Sequence, residues 1–196
     1  MRLSRTTAPA VEPVTLATAS LHARVIDSAE DSIITMMIAA ARQYAESYCR
    51  RSFITQGWRL SMDHFPGCEL ELPMGPVTAV TSIVYLDMAG TQQTISNPAR
   101  PEYAIDLTDE SSLIAPGFGY IWPIALPQVG AVQFNWTAGY GPAPANVPDG
   151  IRHWICMRVN TIFENREELA VLMERGSVSA LPYVDCLLDP FTVHRA

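Results

Sequence analysis

Apolar and polar positions along this 196-residue chain change their period twice, from helical to alternating and back. Ile33, Met37, Ala40, Ala41, Tyr44 and Tyr48 recur at the spacing of one helix face. Ser28 with Asp31 three residues later approximates a capping box, so a helix is predicted from about Ala29 to Cys49. Glu30 and Asp31 at its start and Arg50 and Arg51 at its end suit the helix macrodipole. Ahead of it, Thr15 can cap a shorter helix reaching about Arg24, and Val25 to Asp27 turn the chain. The first dozen residues are rich in Thr, Ala and Pro without any period, which predicts a flexible arm ending at Pro13.

From Phe53 the period is two. Ile54, Gln56, Trp58, Leu60 and Met62 share one side of a strand, and Leu70 with Leu72 continue the pattern after a turn at Pro66 and Gly67. Further strands are predicted at 79–86, 92–95, 103–107, 112–115 and 129–138, separated by turn-rich segments of which 116–127 is dense in Gly and Pro. No helix-length segment lies between them, so the strands form antiparallel hairpins and the parallel crossovers of a dinucleotide fold are excluded. After a loop at 139–146 the helical period returns. Pro148 suits a first helical position, and Ile151, Ile155, Val159 and Ile162 line a helix to about Asn165, with Trp154 beside them. Residues 167–175 can add a short helix. The end of the chain stays apolar at Tyr183, Val184, Leu187, Leu188, Phe191 and Val193, so it either packs on its own domain or docks on another subunit.

The predicted fold class is therefore α+β: a small helical bundle, an antiparallel sheet inserted between the second and third long helices, and an extended C-terminal tail. We read one domain over 1–196, with 14–52 and 148–175 helical, 53–142 the β insertion and 176–196 the tail. A hydrophobic content of 48% is enough to build its core.

A formal net charge of -7 and a pI near 5.0 argue against a protein that wraps nucleic acid, which needs clustered cations to displace counterions. All 13 basic residues are arginine, a usage that codon bias in a GC-rich genome explains and that also suits protein interfaces. Cys49, Cys68, Cys156 and Cys186 are scattered without a CxxC pair or a preceding secretion signal, and are expected to be reduced and intracellular. Asn135-Trp136-Thr137 matches a glycosylation acceptor, a chance match without export. The apolar run at 33–41 is too short to span a bilayer.

Candidate chemistry is sparse. His153 and Cys156 lie three apart on the third predicted helix, but no second pair completes a tetrahedral metal site. His64 and Cys68 straddle a Pro-Gly turn without an electropositive activator for the thiol. There is no GxSxG, and Gly117, Gly119 and Trp122 break a GxGxxG pattern at its last position. Asp106, Asp109 and Glu110 make an ordinary solvated corner. Of Trp58, Trp122, Trp136 and Trp154, only Trp122 sits in an obvious loop where it could meet a sugar. No catalytic, cofactor-binding or metal residue is assigned, and no cofactor is expected. The alternative is a small soluble enzyme or carbohydrate-binding module with a loop-built site.

The order of short motifs then adds what composition does not. They are Glu12-Pro-Val-Thr-Leu16, Ile38-Ala-Ala-Ala-Arg42, Ala45-Glu-Ser-Tyr48 with Arg51, Trp58, and Asp63-His-Phe-Pro66. Leu72-Pro73, Pro76-Val77, Ser82-Ile-Val-Tyr85 with Asp87, Gly90, the Tyr103 strand, Trp122-Pro123, Ala138-Gly-Tyr-Gly141 and Val147-Pro148 follow. In this order the chain resembles the phage head-tail connector family, also called adaptor or head-completion proteins, which includes adaptors of gene transfer agents. The resemblance implies a non-enzymatic virion component assembled in the bacterial cytoplasm, many copies of which form a ring beneath the portal. The implied partners are the portal protein, copies of itself, and the next neck or tail protein, a stopper or tail terminator. Double-stranded DNA would pass without sequence-specific binding, and no membrane is involved. The portal or subunit interface is placed on Tyr183, Val184, Leu187, Leu188, Pro190 and Phe191, from their position and hydrophobicity alone.

Overall fold

The computed structural model describes residues 1–95, 102–107, 112–164 and 185–193. The chain divides into two compact units, one formed by Met1–Ala10 with Arg51–Pro142 and the other by Val11–Arg50 with Ala143–Ala196.

The first unit is all β among its described residues. Strands β1 (Arg2–Thr7), β2 (Gln56–Met62), β4 (Val77–Leu86), β5 (Gln92–Ile95) and β8 (Val132–Ala138) form a five-stranded sheet in the order β1-β2-β8-β4-β5. Strands β3 (Leu70–Leu72), β6 (Tyr103–Leu107) and β7 (Ser112–Pro116) form a second sheet in the order β3-β7-β6. Every pairing of these strands is antiparallel, as the short spacings between them require. Alternation builds the core: Val132, Phe134, Trp136 and Ala138 of β8 point inward and join Leu60, Ile83, Leu72 and Ile114 in one cluster fed by both sheets.

At the N-terminus the structure departs from the sequence expectation of a flexible arm. Residues 2–7 are β1, hydrogen-bonded along the β2 edge. All six are exposed, so there is no alternation of burial for a period-two pattern to reveal.

The second unit holds the helices α1 (Leu16–His22), α2 (Asp31–Cys49) and α3 (Asp149–Glu164). Thr15 caps α1 by accepting from Thr18 N at 3.2 Å. Before α2 the capping oxygen belongs to Asp27, which accepts from Ala29 N at 3.0 Å, and Ser28–Glu30 form a 3-10 turn leading into the helix. α2 ends where Arg50 takes the left-handed conformation (φ 55°) and its N–H reaches Glu46 O. The buried face of α2 is Ile34, Met37, Ile38, Ala41, Ala45 and Cys49, together with Arg42 and Glu46. Met37 and Ala41 lie where the apolar spacing places them, whereas Ile33, Ala40, Tyr44 and Tyr48 are exposed. Two charged residues enter the core as a pair, and the tyrosines take the rim, where a ring can pack while its hydroxyl stays wet. Ile151, Trp154, Ile155 and Val159 of α3 complete this core.

Candidate functional site

An ion-pair cluster fixes the entry to the helical unit. Arg42 donates through Nε to Glu12 Oε2 at 2.7 Å, through Nη2 to Glu12 Oε1 at 3.3 Å, and through Nη1 to Glu46 Oε2 at 2.8 Å. Burial works against the guanidinium charge, but the hydrogen bonds that Arg42 donates to Glu12 and the charges of both glutamates together raise its pKa. Glu12 is thereby held next to the buried Pro13 and Val14, which orients the chain as it enters α1.

The C-terminal residues 185–193 form two 3-10 turns, Asp185–Leu187 and Asp189–Phe191, seated on helices of their own unit. Trp154 Nε1 donates to Asp185 Oδ1 at 3.2 Å, Tyr48 Oη to Asp189 Oδ1 at 3.1 Å, and Val193 N to Cys49 O at 3.1 Å. The bond to Asp189 raises the Tyr48 pKa, since ionising the phenol would set two negative charges side by side. Of the tail residues assigned to an interface, Leu188 is buried here, Leu187 and Phe191 are half-buried and Pro190 is exposed. Tyr183 and Val184 lie outside the described residues, as do the short helix predicted at 167–175 and the acidic pair Asp109 and Glu110.

A second surface was not singled out from the sequence. The segment between β7 and β8 is an ordered loop with an apolar outer side. Trp122 anchors it: the indole stacks on Phe65 with centroids 5.1 Å apart and planes at 9°, meets Phe134 edge-on, and donates to Cys68 O at 3.3 Å. Leu126 N donates to Leu86 O at 2.8 Å, and Gly130 N to Asp63 Oδ1 at 2.8 Å, closing the far end. Between these anchors Phe118 is fully exposed, Ile121 is 89% and Ile124 79% exposed, with Val129 nearby at 62%. Several large apolar side chains held in water by a tethered loop are the mark of an association surface. The signal in the sequence was the unusual share of bulky apolar residues within a Gly/Pro-rich stretch, which turn composition masked.

The residues considered for chemistry do not converge. His22 and His153 meet edge-on at 6.0 Å and line a cavity of about 370 Å³ with Arg152 and Cys156, but among the described residues no group of three or more His, Cys, Asp or Glu is placed to hold a metal ion. Burial pushes the Cys156 thiol up, against the weaker opposing effect of Arg152, which keeps it protonated and a poor ligand or nucleophile. Cys68 and Asp106 are exposed. With one face against Phe65, the Trp122 ring is not an open sugar platform.

Residues 13–106 match the family model described as phage gp6-like head-tail connector protein. Over that segment the chain is similar to this family. No curated protein matches the chain. Among solved structures, the chain is similar over 100% of its length to a chain in the neck of an empty gene transfer agent particle computed with C6 symmetry, covering 97% of that chain with a TM-score of 0.82 at 23% identity. It is similar in the same proportions to a chain in the virion of the native gene transfer agent particle, with a TM-score of 0.81 at 22% identity. A third likeness, to a chain of the native particle's neck computed with C12 symmetry, has a TM-score of 0.70 at 22% identity. At these identities the likeness establishes the fold. Among the described residues no helix is long and apolar enough to cross a membrane.

Proposed function

We propose that the chain is a structural adaptor of a phage or gene transfer agent neck, without enzymatic activity, forming a ring beneath the portal that continues the DNA channel from capsid to tail. The observation that carries this reading is the coincidence of a connector-family sequence over 13–106 with a full-length likeness to a chain of a gene transfer agent neck. The exposed loop with Phe118, Ile121 and Ile124 supports it, since a lone soluble chain has no use for such a surface.

In this reading the portal lies on one side, copies of the chain lie laterally, and a stopper or tail terminator lies on the other. Ring contacts are heterologous: one patch of each copy meets a different patch of the next. In this reading Pro190, with the half-buried Leu187 and Phe191, meets a partner, Leu188 serves its own unit, and Tyr183 and Val184 belong to the portal or subunit contact. The net charge of -7 suits a wall past which DNA slides without adhesion.

Negative-stain electron microscopy of the chain mixed with the portal protein encoded near its gene tests the proposal. An added ring layer on the portal is expected; two folded proteins that never associate would overturn it.

A further inference from the structure

Strand β1 contributes nothing to a core, yet it is in register with β2 from Arg2 opposite Ser61 to Thr7 opposite Gly57. Main-chain pairing holds it, supplemented by Ser4 Oγ to Arg59 O at 3.5 Å and Arg5 Nη1 to Gln56 Oε1 at 3.5 Å. The receiving edge is nevertheless shaped for it. A Cβ at Gly57 would lie 2.7 Å from Thr6 Oγ1 and 2.9 Å from Thr7 Oγ1, at the place where the register shifts between Arg5 and Thr7. Any larger residue there would force Thr6 and Thr7 to shift, and glycine spares the end of the arm that shift. Further along, Glu12 is gripped by Arg42, and Pro13 and Val14 are buried, so residues 8–11, with Pro9 among them, are the free connector between two anchors.

A strand whose every bond, main-chain or side-chain, is made to the β2 edge forms the same hydrogen bonds on the same edge of another copy, so exchanging it loses no contact. A short connector between two anchored segments favours such exchange. Within one chain, the tether keeps β1 at an effective concentration of roughly millimolar. A neighbour competes only when it is held equally close, as in a templated ring.

We propose that β1 is a detachable donor strand and the β2 edge its acceptor, so that in the assembled ring the β1 of each copy pairs with β2 of the next. The inference rests on the adaptor reading. Donor and acceptor are different surfaces, which gives the head-to-tail contact that a ring needs, and the pairing is strand addition at a sheet edge. Before assembly β1 covers its own acceptor and keeps free chains from linking.

The test uses the full chain carrying Ser4→Cys and Arg59→Cys, which face each other across the strands, with the exposed Cys68 and Cys186 changed to serine. The protein is assembled on the portal under reductant, then oxidised and run on a non-reducing gel. A ladder of covalent multimers beyond the dimer is expected, and only intramolecular cross-links when the portal is omitted. Either single-cysteine chain can reach a dimer and no further. Rings whose disulfides are all intramolecular would overturn the exchange and leave the adaptor reading standing; failure of the unmodified chain to form rings would overturn both. Gly57→Val gives an independent arm: it should expel β1 and sharply reduce ring formation while the monomer still melts cooperatively. Undiminished ring formation by that variant would also overturn the exchange.

Discussion

Arg42 joins two acidic side chains of the helical unit in one largely buried ion-pair cluster. Its side chain and that of Glu46 are each 5% exposed, and Glu12 is 28% exposed, so each charge relies on the others for the solvation it has lost. Arg42→Met should therefore cost about 3–5 kcal/mol in urea unfolding, because it strands carboxylates in the core. Changing all three residues together to apolar ones of similar volume should recover most of that loss, which separates burial of unpaired charge from loss of packing. A milder electrostatic device sits at the turn between β4 and β5. Asp87 accepts from Gln93 Nε2, Thr91 N and Ala89 N, each at 2.9 Å, and these bonds, that of Gln93 foremost, hold its carboxyl below the ordinary 3.8. A depressed folded pKa means that the turn is fully supported above the unfolded value and loses that support as pH falls through the folded one. A carboxyl titration by NMR should place the Asp87 midpoint below the ordinary aspartate value, and Gln93→Ala should move it upward.

Among the elements, the C-terminal turns show how a short segment is kept in place. Leu188 is fully buried, and Gly150 on α3 leaves room for Phe191, whose ring would lie 3.2 Å from a Cβ at that position. Leu188→Ala is expected to cost about 2–5 kcal/mol, and ending the chain before Asp185 should lower the melting temperature at least as much. A truncated chain that melts like the parent would show the turns to be dispensable. The same elements show where sequence patterns suffice. Strands β5 and β6 occupy the predicted 92–95 and 103–107, because turn residues bound both runs. The face of α2 was legible only in part: apolar spacing cannot see that Arg42 and Glu46 go inward, and it counts Tyr44 and Tyr48 as core although they stand at the rim. β1 left no trace because its pairing is carried by the main chain. The motif Ala138-Gly-Tyr-Gly141 was visible as a pattern, but its cause was not: Gly139 adopts φ 139°, and a Cβ there would lie 2.6 Å from the backbone of Ile54.

For the whole molecule, the adaptor reading assigns assembly to the exposed face of the loop between β7 and β8 and stability to the core beneath it, which makes that reading testable without a partner structure. Phe118, Ile121 and Ile124 are almost wholly in water, so they contribute little to folding, while Trp122 beneath them belongs to the aromatic cluster with Phe65 and Phe134. Replacing the three exposed residues together with serine should leave the unfolding free energy within about 0.5 kcal/mol of the parent per site, the range of ordinary surface changes. Association behaves differently, because each large apolar side chain buried at a contact is worth about 1.5–3 kcal/mol. The triple variant should therefore fold normally and yet fail to add a layer to the portal in sedimentation and electron microscopy. Trp122→Ala reverses the order of effects, lowering stability first and assembly only as a consequence of the loosened loop. A triple variant that still builds rings at parental concentrations would remove the loop from the contact and leave the C-terminal turns and the β1 edge to carry the assembly.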